Sequence, residues 1–146
     1  MAGAFAAIPV PVEQWRPPVA PSPVHPGTFE IRFMKLHTEG RFDEMWEMLA
    51  DDAQRAWGGI QNFVREMPRL DEWLEILEMQ VANVTLLDTW TDHVHQRTYS
   101  NVARLVMRYK VRQNWREWTF DRQVHLVPDA SGWRTLCYPT RTAIGR

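Results

Sequence analysis

Two hydrophobic periods divide the chain. Up to about Met79 the apolar positions recur at helical spacing, and beyond it they alternate. Thr28 is placed to cap a helix running from Phe29 to Glu39, with Phe29, Phe33 and Leu36 on one stripe and Gly40 as the stop. Asp43 is placed to cap a second, DEMWEMLADDAQRAW, with Trp46, Leu49, Ala53 and Trp57 along one side and Gly58-Gly59 at its end. IQNFVREM reads as a short helix closed by Pro68, and DEWLEILEM as another, capped by Asp71, with Trp73, Leu74 and Leu77 inward.

Strands follow. VANVTLLD, NVARLVMRYKVR, EWTFDRQVHLV and GWRTLCY each suit a half-buried strand. The polar stretch TWTDHVHQRTYS either extends the second strand or forms a long loop. One register makes sense of the middle pair. With Gln113-Asn114-Trp115-Arg116 as the turn, Val111, Tyr109, Met107, Leu105 and Ala103 face Trp118, Phe120, Arg122, Val124 and Leu126. The other face then sets Arg112 against Glu117 and Arg108 against Asp121. A slip of one residue destroys both patterns. Arg122 is the one charge on the apolar face, and an unpaired guanidinium there needs a carboxylate, an anion or water.

Helices followed by an antiparallel sheet with one wet face make an α+β domain over residues 28–146. Residues 1–27 differ: seven of the ten prolines lie at or before Pro26, so the segment is expected to be an extended, Pro-rich arm. Ile8, Val10, Val12, Trp15 and Val19 give it more apolar surface than a solvated linker needs, so it is expected to pack on the body or on a neighbouring subunit.

Composition adds exclusions. No apolar run reaches the length of a membrane span, and the N-terminus lacks the charged region of a signal peptide. The single Cys137 has no internal partner, so a reducing, cytoplasmic setting is the default. The net charge of −1 hides an asymmetry: residues 1–80 carry −6 and residues 81–146 carry +5. The halves attract, within one molecule or between subunits. With no recognised motif and near neutrality overall, nucleic acid is not an expected partner.

The order of elements is more particular than its class. FMKLHTEGRFDEMWEMLADDAQ resembles the opening two helices of the nuclear transport factor 2-like superfamily, which includes ketosteroid isomerase-like and SnoaL-like proteins. REWTFDRQVHLVPDASGWRTLCYP resembles its closing hairpin, through LVPDASGWRTL. The resemblance covers about residues 29–138. It implies helices packed in the concave face of a curved sheet, a cone with an apolar pocket, and dimerisation through the sheet's outer face. One segment departs from the pattern. Where the enzymes of that superfamily carry a short acid-bearing β-segment, this chain reads ADDAQRAWGGIQNF, helical throughout, so Asp51 and Asp52 read as exposed helix residues.

The expected function is therefore a non-catalytic binding or accessory protein, homodimeric, with no cofactor and no metal. A small apolar ligand in the pocket would meet Arg122, Tyr109, Trp118 and Tyr138; a protein partner would meet Trp15 in the arm and Trp115 in the turn. The alternative is a small lyase, isomerase or cyclase using His93, His95, Asp88 and Asp92 for acid–base work. His93 and His95 share one face of a strand, but a metal would need a third ligand. Cys137, with no base nearby in sequence, reads as an inert thiol.

Overall fold

The computed structural model describes residues 24–70, 74–130 and 132–139. The arm's residues 1–23, with Trp15, and the segment 71–73, with Asp71 and Trp73, lie outside them. Four helices, α1 (Pro26–Glu39), α2 (Phe42–Trp46), α3 (Asp51–Trp57) and α4 (Ile60–Glu66), precede four strands, β1 (Glu75–Asp92), β2 (Arg97–Gln113), β3 (Arg116–Asp129) and β4 (Gly132–Thr135). The strands form one open, curved antiparallel sheet in the order β1-β2-β3-β4. None of the helices is long and apolar enough to cross a membrane.

α1 begins three residues before the expected start. The cap is His25, whose Nδ1 accepts the Gly27 N–H at 2.9 Å, and Pro26 opens the first turn. Its end is as expected: Gly40 turns left-handed at φ 73°, and the Arg41 N–H closes on the Leu36 carbonyl.

The second expected helix is broken. Met48, Leu49 and Ala50 leave helical geometry because their backbone is taken by β4. Thr135 N–H donates to the Met48 carbonyl and Ala50 N–H to the Thr135 carbonyl, each at 2.9 Å. That pairing stitches the helical layer to the sheet's last strand.

DEWLEILEM is not helical from Glu75 onward; those residues open β1. The polar stretch TWTDHVHQRTYS is not a long loop either. β1 runs to Asp92, β2 resumes at Arg97, and only His93–Gln96 turn between them. The last strand stops at Thr135, leaving Leu136 to Tyr138 outside it.

The β2–β3 register is the expected one, residue for residue, from Ala103↔Leu126 to Gln113↔Arg116. A two-residue turn closes it, with Asn114 at φ 52° and Trp115 at φ 70°. Its outer face is a charge ladder: Arg108 binds Asp121 at 2.8 Å, and Arg112 reaches Glu75 at 2.9 Å and Glu117 at 3.5 Å. Its inner face forms the core. Leu105, Met107, Tyr109 and Val111 are buried beneath Phe29, Phe33, Leu36, Met45, Leu49, Phe63 and Trp57. Trp57 is buried in the core, while Trp46 and Trp133 pack against it half-exposed.

Cover ends at β2. The helices lie over β1, β2 and β4, and every residue from Arg116 to Gln123 is exposed, Trp118 and Phe120 included.

Candidate functional site

A cleft of about 90 Å³ opens where α1 meets the edge of β3 and the segment after β4. Glu30, Arg122, His125, Thr135 and Cys137 are among the residues lining it. Glu30 was not expected. It is 1% exposed on α1, and its Oε1 has no hydrogen-bond partner. Burial pushes its carboxyl up to about 7, with the Arg122 charge pulling the other way. A helical stripe in the sequence carried the signal: Glu30, Met34 and His37 stand at i, i+4 and i+7, and all three are buried.

The guanidinium of Arg122 answers its own anomaly. The residue keeps contact with solvent, but its charged end is hemmed in by Glu30, Tyr109 and Cys137. The Tyr109 hydroxyl, also enclosed, has no hydrogen-bond partner; Arg122 lies near it outside bonding geometry. Burial raises the Tyr109 hydroxyl and pushes the Cys137 thiol up to about 11, so Cys137 stays a neutral thiol near pH 7. His125 is pushed down to about 4 by burial and by the Arg104 charge beside it. Its ring stacks on Trp90 at 3.7 Å, and its Nε2 takes the Arg104 Nε–H at 3.2 Å.

A second polar cluster gathers at the β1–β2 turn. Asp92 caps the turn: Oδ1 accepts from the N–H groups of Val94 and His95, and Oδ2 pairs with His95 Nδ1 at 2.8 Å. Burial works against the Asp92 carboxylate, but the hydrogen bonds from His95 outweigh it and hold its pKa below the ordinary range. The His95 ring stacks on Tyr138 at 3.7 Å. Tyr99 donates to Asp52 Oδ2 at 2.8 Å and shares a 2.9 Å contact with the Tyr138 hydroxyl. Asp52 is thus not the exposed helix residue expected. Tyr99 first of all, then Arg97 and Arg55, hold its carboxyl below the usual range, and its side chain is largely covered.

Of the acid–base set, the fold brings His95 and Asp92 together and leaves His93 and Asp88 exposed. The ligand set also divides. Arg122 lines the Glu30 cleft, Tyr109 is buried in the core near them, Tyr138 joins the turn cluster, and Trp118 stands 40% exposed beyond the covered core. Among the described residues no hydrogen bond joins His95 or Asp92 to Arg122 or Tyr109, and no group of three or more His, Cys, Asp or Glu side chains converges as a metal would require. Trp115 is 96% exposed at the tip of the β2–β3 hairpin.

Comparison with protein-family models and with curated proteins finds no match for this chain.

Proposed function

We propose that this chain is a non-catalytic accessory protein of cone-like α+β fold that works as a homodimer and through protein contact. One contrast carries the reading. The sheet's inner face under the helices is filled by Leu105, Met107, Tyr109 and Val111, each at most 2% exposed; the cleft beside Glu30, about 90 Å³, is polar, and a wider hollow of about 410 Å³ along α4, lined by Ile60, Val64, Arg65 and Arg69, lies open to solvent away from the sheet. Sites for drug-sized molecules run to roughly 300–1,000 Å³ and are mostly apolar. Large apolar side chains are left to solvent at Trp115 in the turn and at Trp118 and Phe120, where the inner face of β3 runs out beyond the helices. A tryptophan held 96% exposed at φ 70°, where glycine would be relaxed, is costly unless something covers it. The resemblance to nuclear transport factor 2-like proteins supports the dimer. Sedimentation velocity on the full chain across a micromolar range tests the proposal: a dimer is expected, and a strict monomer overturns it.

The Glu30 cleft favours a second reading, a small acid–base enzyme. A buried carboxyl held near neutrality, opposite an arginine, is the kind of group that moves protons. Its substrate would have to be small and polar to enter the cleft. That reading requires a turnover that Glu30→Gln removes while the fold persists.

A further inference from the structure

The outer edge of β3 is a self-complementary strand, and we infer that it is where two copies of this chain join. This rests on the assembling role proposed above and names its surface. β4 covers β3 only from Leu126 to Asp129, and Leu136 N–H adds one bond to the His125 carbonyl. Among the described residues, nothing pairs with the backbone of residues 116–124 on that side.

The turn fixes which groups face outward. A two-residue hairpin closes on a hydrogen-bonded pair, here Gln113–Arg116, so the even-numbered residues of β3 bond to β2. Glu117, Thr119, Asp121 and Gln123 therefore turn their N–H and C=O groups to the open edge, in step with the outward carbonyl of His125. The inner-face neighbours on this run, Trp118 and Phe120, are 40% and 36% exposed. A long, open, partly aromatic edge is a template for another strand.

Its own charges select the partner and the register. A strand pairing with its copy about a two-fold axis must match outward residues with outward residues, so the axis passes through a residue. An axis at Thr119 opposes Glu117 to Asp121; one at Asp121 or Arg122 opposes that charge to itself. An axis at Trp118 slides the pairing into the turn at Trp115. An axis at Phe120 opposes no like charges. It sets Thr119 against Asp121 and Glu117 against Gln123 as hydrogen-bonded pairs. On the inner face Phe120 meets Phe120, and Trp118 lies beside the stem of Arg122, whose guanidinium stays toward Glu30. The two four-stranded sheets become one continuous sheet.

Position 119 tests both edge and register. Thr119 is exposed, and its N–H points away from β2, so Thr119→Pro removes an edge donor without breaking the β2–β3 ladder. Sedimentation of the full chain is expected to show a wild-type dimer and a Thr119→Pro monomer with unchanged far-UV circular dichroism. Thr119→Asp is expected to raise the dimer Kd by roughly threefold to tenfold against Asp121, and Thr119→Lys to leave it equal or lower. Monomer stability should move the opposite way, because Lys110 faces position 119 across β2. A dimer that survives Thr119→Pro overturns the edge and leaves the accessory role standing; equal effects of Asp and Lys on the dimer overturn the register. A wild-type monomer overturns the edge and that role together.

Discussion

Arg122 on β3 sets its guanidinium toward Glu30 on α1, yet Glu30 Oε1 remains without a hydrogen-bond partner in a site 1% exposed. The pairing is by charge across a cleft, and it does not offset burial, since the Glu30 carboxyl still stands at about 7.

That position has a stability consequence. The folded protein holds the Glu30 proton more tightly than the unfolded chain does, so acidification from about 7 towards the ordinary carboxyl range favours folding. Ionised Glu30 costs about 3 kcal/mol above that window, by the linkage of a pKa shift to free energy. Glu30→Gln should therefore stabilise the protein at pH 8, by up to about that amount, and change it little at pH 4.5. Urea denaturation of both proteins at the two pH values gives the comparison.

His125 pulls in the other direction. Its pKa falls to about 4 on folding, so the stability it lends is present above the ordinary histidine range and is lost as pH falls towards 4. In wild type this loss runs against the gain from Glu30. Glu30→Gln should expose it as a decline on acidification from pH 6.5, and adding His125→Phe, which keeps a ring against Trp90, should flatten that decline. Thermal melts of the single and double variants across this range read it directly.

Tyr99 ties three parts of the chain: its own strand β2, Asp52 on α3 and Tyr138 after β4. Tyr99→Phe leaves Asp52 without its principal hydrogen bond. The expected loss is about 1–3 kcal/mol, in line with removing one partner of a covered charged hydrogen bond. Because Asp52 is held below the usual carboxyl range, the stability this bond gives is present above that range and lost as pH falls through the folded value. The wild-type and variant curves should thus converge in acid. A difference that stays constant down to pH 2 would show that the carboxylate is not the reason.

Trp115 sets stability against assembly. Trp115→Gly relieves a left-handed residue in the turn and should stabilise the isolated protein by about 1 kcal/mol. If Trp115 is a protein contact, the same change weakens binding. A gain in melting temperature together with loss of a partner captured by the wild type separates the two effects; a neutral melting temperature would deny the strain.

The β2–β3 hairpin was legible in the sequence down to its register because alternation and opposite charges agreed on both faces. β1 was legible as a strand only over VANVTLLD; its start at Glu75 was not, and the reason is local. Register shifts at Ile76/Glu78 and Val81/Asn83 interrupt the alternation, so the apolar residues Ile76, Met79, Val81 and Val84 fall at helix-like spacings. Glu, Leu and Met added helix propensity that sheet pairing overrode. The break at Met48–Ala50 depends on Thr135, far along the chain, and has no local sign. Arg122 stood out as an anomaly in one strand, while its counter-charge Glu30 lay in a helix whose apolar stripe drew attention to its other side. The pair appears only when α1 is laid against β3.

The most direct test of the central claim is native mass spectrometry of the full chain purified gently from its own host. The account predicts a dimer, alone or with a protein partner, carrying no small apolar molecule. A monomer that retains a stoichiometric apolar ligand would contradict it.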